Sequence, residues 1–173
     1  AFLLAILTQE SNLGKNVGTC NRPGDPPSKS WKVQMKPTRD QEPFVEITKT
    51  LGLDPNVTPI SCAINDPAHG LKAGVNSWGG AMGPAQFIPS TWMGYLSKIQ
   101  AVVGHYPNPW DIKDSMTAAA LKLSADGASA QTTSAECTAA KRYFGGNYQF
   151  YCDSVLRIAS GYEQDIADIN NAK

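Results

Sequence analysis

No stretch of this chain alternates apolar and polar residues over the length of a half-buried strand. Apolar residues recur three and four positions apart instead, the spacing of one helix face. The opening "AFLLAILTQESNLG" places Phe2, Leu3, Ile6, Leu7 and Leu13 in one stripe and ends near Asn12–Gly14, where asparagine and glycine are stop signals. Asp40 is positioned to cap a second helix with Phe44, Ile47 and Leu51 on its inner face and a stop at Gly52. A third helix is expected from about Ser90 to Val103, and a fourth is capped by Asp111 with Met116, Ala119, Ala120 and Leu123 inward. Thr133–Phe144 and Tyr148–Asn170 complete the set. The pattern predicts a mainly helical fold, about half helix. Two loop-rich stretches, 18–37 and 53–74, are punctuated by proline and glycine. Loops this long inside a compact domain are functional or disordered.

With 173 residues, the chain is sized for one domain with a real core. Fifteen basic and fifteen acidic residues leave no net charge, which speaks against nucleic-acid binding. No apolar run approaches the roughly 20 residues that span a membrane. Ala1–Leu7 lacks a start methionine and a basic flank, so it does not read as a signal peptide. The expectation is a fragment of a longer protein, with any export signal upstream.

Cys20, Cys62, Cys137 and Cys152 form no closely spaced pair, which disfavours zinc. An even count fits two disulfides and an oxidising compartment, against the alternative of four buried thiols. Three pairings are open. Cys20–Cys62, tying down the first loop-rich excursion, and Cys137–Cys152, joining adjacent helices, are the favoured pair. His69 and His105 lie in loops without ligand spacing.

Within this frame Glu10 is out of place. It falls three and four residues after Leu7 and Ile6, inside the apolar stripe, although polar Thr8, Gln9, Ser11 and Asn12 flank it. A carboxyl in such surroundings tends to keep its proton, unless it reaches solvent at the helix end or meets a basic partner. A second unusual stretch is "GGAMGPAQFIPSTW" (79–92). Gly79, Gly80 and Gly83 suggest close backbone approach. With no following lysine and no preceding strand, a phosphate loop is a weak reading. A plain turn before a helix explains Pro89 and Ser90 but not Gln86 beside Phe87. An amide next to an aromatic ring suits a sugar, the amide bonding hydroxyls and the ring covering the apolar face.

"AILTQES" followed by "GAMGPAQFIPSTW" resembles the bacterial peptidoglycan lytic transglycosylases, the second motif being most similar to the membrane-bound B-type branch. "NPWD" (108–111) and the alanine-rich helix running to "LSADGA" extend the resemblance, which covers Ala1 to about Ile158. It implies a lysozyme-like (goose-type) helical domain, with residues 1–173 as one catalytic unit, that cleaves glycan strands of peptidoglycan outside the cytoplasm as a monomer. No cofactor and no metal are implied. Glu10 matches the single catalytic acid. Ser77 matches a serine holding that glutamate, and Tyr143 a tyrosine near it. Gln86, Phe87 and Met82 match the wall of a sugar subsite, and Ser11 of the glutamate–serine pair, Tyr151 and Asn147 are expected to bind the substrate with them. Tyr151 begins a "YxxxV" pattern of the last helix. Where the family often has asparagine after the tyrosine of the fifth helix, this chain has Phe144, with Asn147 three residues on. A hydrolytic muramidase of the same fold and a non-catalytic wall-binding domain are the rival expectations.

Overall fold

The computed structural model describes residues 1–172. Among the described residues seven α-helices, together with three short 3-10 turns, make the chain 56% helical: α1 Phe2–Ser11, α2 Trp31–Gln34, α3 Gln41–Thr50, α4 Pro89–Val103, α5 Ile112–Ala125, α6 Thr133–Phe144 and α7 Gln149–Asn171. Extended backbone is limited to isolated bridges among the described residues. Among the described residues no helix is long and apolar enough to cross a membrane.

Local chemistry accounts for most helix ends. Asn12 adopts the left-handed conformation that closes α1. Asp111 caps α5 through Lys113 N–H at 2.8 Å and Asp114 N–H at 3.1 Å. Asp40 corrects a simple reading. It precedes α3, but its carboxylate makes no bond to that helix's first turn. It is buried, pairs with the neighbouring Arg39 at 2.6 Å, and accepts from Ser90 Oγ at 2.7 Å. A cap residue of one helix thereby anchors the start of another, α4.

α1 joins two parts of the core because its buried residues Ala5, Ile6 and Leu7 face different neighbours. Leu7 faces a core cluster with Phe44, Met82, Phe87, Trp92 and Ala119. Ala5 and Ile6 face a second cluster with Ala140, Tyr151, Val155 and Ala159. Leu13 lies past the helix and is exposed, so it does not extend the stripe. On α5 the inward set is Ala118, Ala119 and Leu123, with half-buried Met116 packed against the core; Ala120 is exposed, contrary to expectation.

Both favoured disulfides form. Cys20–Cys62 spans 42 residues and Cys137–Cys152 joins α6 to α7. The long stretch 18–37 is partly ordered into α2 and a short 3-10 turn at Pro27–Lys29. Its backbone meets the second long loop at an antiparallel bridge between Cys20 and Ile60.

Candidate active site

Glu10 is the penultimate residue of α1, where the unpaired carbonyls of a helix C-terminus already disfavour negative charge. Its side chain is half-buried. Desolvation raises its pKa from 4.5 to about 7, against the smaller opposing effect of a hydrogen bond donated by the Tyr151 hydroxyl. Desolvation prevails because one donor cannot replace the water lost around a carboxylate. The second carboxyl oxygen makes no hydrogen bond among the described residues, and no lysine or arginine there pairs with Glu10.

The carboxyl opens on a cleft of about 310 Å³. Ser61, Cys62, Ile64 and Trp78 line it together with Tyr143 and Phe144 at the end of α6. A second depression of about 300 Å³ begins at the same Glu10, Gln86 and Cys62 and runs toward Asn16 and Thr19. Glu10 thus stands where two hollows meet, and it is the one carboxyl lining either of them among the described residues.

Sequence dictates the side of the cleft through two glycines. A Cβ on Gly79 would stand 2.4 Å from the Ser61 carbonyl oxygen, so only glycine lets residues 79–81 lie against 61–63. Ser61 N–H then donates to Ala81 O, and Gly80 N–H to Ser61 O, each at 2.9 Å. Gly83 has φ +62°, and a Cβ there would overlap Pro109 O at 1.7 Å. Its turn is closed by Met82 N–H donating to Phe87 O at 2.9 Å. Gln86 adopts φ 52°, a conformation costing a non-glycine residue about 1–3 kcal/mol. In exchange its side chain faces the cleft, with Nε2 donating to Gly83 O at 2.8 Å and the amide oxygen left free.

The expected site residues separate into two groups. Glu10, Gln86, Phe87 and Tyr143 all line the cleft. Phe87 is only 3% exposed and packs edge-on against Tyr143 at 5.8 Å and Trp92 at 5.8 Å. Tyr143 donates to Ala85 O at 2.7 Å, not to Glu10; burial and the nearby Glu10 hold its pKa well above the usual tyrosine value. Tyr151 is the residue that touches the acid, and burial beside Glu10 raises its pKa strongly.

The other group departs from expectation. Ser77 does not hold Glu10: its hydroxyl accepts from Ile64 N–H at 3.1 Å, because it closes the base of a loop. Ser11 is buried away from the cleft; it donates to Pro84 O at 2.6 Å and accepts from Gly14 N–H at 2.8 Å, clipping α1 to the glycine-rich turn. Met82 is 1% exposed and belongs to the core beneath the cleft. Asn147 is exposed in a neighbouring depression with Lys141, which meets the cleft at Lys122, Arg142 and Gly145.

Phe144, noted in sequence only as a departure, stacks on Tyr151 at 4.8 Å and lines the cleft. Its position after Tyr143 was the available signal. Cys62 and Ile64 carried none, since a cleft contact from an irregular loop has no periodicity to betray it. Comparison with known proteins returns no match of any kind: no family model, no curated protein and no solved structure corresponds to the chain at a significant level.

Proposed function

We propose that this chain is a peptidoglycan lytic transglycosylase of lysozyme-like fold, with Glu10 as its single acid and base. The observation that carries the reading is the isolated Glu10 carboxyl, its pKa raised to about 7, at the junction of two hollows beside Gln86 and Phe87. Glycosidic cleavage ordinarily takes two carboxyl groups. A lone carboxyl suffices when the sugar supplies the nucleophile, and N-acetylmuramic acid does so through its 2-acetamido oxygen.

In the first step the protonated Glu10 gives its proton to the glycosidic oxygen. The C1–O bond breaks, the acetamido oxygen bonds to C1, and N-acetylglucosamine leaves with a free hydroxyl. In the second step the Glu10 carboxylate takes the proton of the 6-hydroxyl, whose oxygen displaces the acetamido oxygen at C1. The product is a 1,6-anhydro sugar, no water is consumed, and Glu10 regains its proton. One group must be acid and then base, so a pKa near the working pH serves both steps. Tyr151 orients the carboxyl by bonding one oxygen and leaves the other to face the cleft. The free amide oxygen of Gln86 is available to a sugar hydroxyl, Tyr143 and Phe144 offer apolar surface to a ring, and Phe87 backs Tyr143 from beneath.

The substrate on this reading is the glycan strand of peptidoglycan, bound by a monomer in the cell envelope. Two disulfides are compatible with such an oxidising setting. The test is turbidity loss of purified cell walls by the parent and by Glu10→Gln, followed by product masses. Clearing by the parent alone, with muramyl ends lighter by one water, is the expected outcome. Equal clearing by Glu10→Gln overturns the reading, and ordinary reducing ends make the enzyme a hydrolase.

A further inference from the structure

Residues 64–77 leave the cleft at Ile64 and return to it beside Trp78. Their ends are held together by Ile64 N–H donating to Ser77 Oγ at 3.1 Å, so the segment is a closed Ω-loop. The loop has internal structure. Asp66 and Leu71 exchange both backbone hydrogen bonds, at 2.8 and 2.9 Å, and the Asp66 carboxylate pairs with His69 Nδ1 at 2.7 Å. Asn76 braces the turn from within, accepting from Lys72 N–H at 2.8 Å and donating to Gly70 O at 2.9 Å.

The tip of this loop lies against the start of α7. The His69 ring packs on Phe150 with centroids 4.1 Å apart. Phe150 in turn packs on Phe144 at 5.5 Å and is followed directly by Tyr151, which bonds Glu10. One anchor of the loop, Ile64, lines both hollows together with Glu10. The loop's tip, His69, therefore rests on the residue that precedes Glu10's own hydrogen-bond partner.

We propose that the 64–77 loop is a strap that bridges the cleft at the level of Glu10 and, latched by His69 on Phe150, directs cleavage to the ends of glycan strands. This inference rests on the glycan-cleaving reading above. A polymer cannot be laid sideways into a bridged cleft. It enters end first, or waits for the strap to open. The His69–Phe150 ring pair lies at the surface, the His69 side chain being 42% exposed, so removing the ring tests the latch without touching the loop's buried Leu71. Because Ile64 and Ser77 already adjoin, the intervening residues can be excised and closed with a short glycine linker.

The experiment digests long, uncross-linked glycan strands and follows both released fragments and the length of the remaining polymer, for the parent, His69→Ala and the strap-excised chain. End-directed cutting releases small fragments while the remaining strands stay nearly full length. Internal cutting halves the strands at one cut each and releases few small fragments. The parent is expected to show the first pattern and the excised chain the second, with His69→Ala between them and a melting temperature equal to the parent's. Internal cutting by the parent, or an unchanged pattern in a strap-excised chain that is folded by circular dichroism, overturns the strap's role. An excised chain that does not fold leaves His69→Ala to decide, and a parental pattern there overturns it equally. No cleavage by any form, the parent included, overturns the glycan-cleaving reading and the strap with it.

Discussion

Replacing Glu10 by glutamine is expected to abolish activity and, at the same time, to stabilise the protein in a pH-dependent way. Burial pushes the folded carboxyl's pKa up from the ordinary 4.5 to about 7. A raised pKa means that the folded state prefers the protonated acid. Below pH 4.5 the group is protonated whether the chain is folded or not, and its titration contributes nothing. Between pH 4.5 and 7 the unfolded chain releases the proton while the folded one retains it, and folding stability falls. Above pH 7 the loss is complete. At about 1.4 kcal/mol per pH unit, a shift of this size sets a ceiling of about 3 kcal/mol. Because the side chain is only half-buried, solvent screening reduces the expected loss to about 1–3 kcal/mol. Glutamine keeps the shape, accepts the Tyr151 hydrogen bond and never ionises. Urea unfolding of both proteins at pH 4 and pH 8 measures the difference. Glu10→Gln is expected to gain on the parent by about 1–3 kcal/mol as pH rises between those points. A difference that does not change with pH would refute the claim that desolvation governs this carboxyl.

Two further outcomes follow from the same geometry. Tyr151→Phe removes the donor that lowers Glu10's pKa, so the alkaline limb of the activity profile moves to higher pH, while loss of the orienting bond lowers kcat by about tenfold or more; a pH–rate profile reads both. Cys20→Ser with Cys62→Ser opens a loop of 42 residues, a loss of about 4 kcal/mol on the chain-entropy estimate. Because Cys62 lines the cleft, activity at a temperature where the variant remains folded is expected to fall as well, as denaturant melts and wall-clearing assays would measure in parallel.

Six of the seven helices were legible because each announces itself locally; the four-residue α2, Trp31–Gln34, lies in the stretch read as loop and is too short to show a period. Thr133–Phe144 begins and ends as its sequence pattern predicts, with Thr132 accepting from Ala135 N–H and Gly145 left-handed at the stop. The disulfide pairs were legible for a related reason: each joins segments that lie near one another along the chain or across one loop excursion. The roles of polar side chains were less legible. Ser11 and Ser77 each have a hydroxyl beside a motif, and sequence cannot tell a hydroxyl that meets a ligand from one that satisfies a buried carbonyl or amide. Both do the latter, since a buried polar backbone group without a partner costs more than the side chain gains elsewhere. Asp40 shows the same limit: its place before a helix is local information, whereas its bond to Ser90 bridges 50 residues.

By itself the sequence determined a helical chain with two cystine bridges, an acid set into an apolar stripe, and a glycine-rich turn carrying Gln86 and Phe87. Those features depend on periodicity, capping and backbone freedom, all of which act over a few residues. Only the tertiary structure decided that Tyr151 is the partner of Glu10, that Ser77 closes a loop, and that His69 reaches Phe150. Such pairings are set by how whole helices and loops pack, and packing joins residues whose separation along the chain carries no signal of their contact.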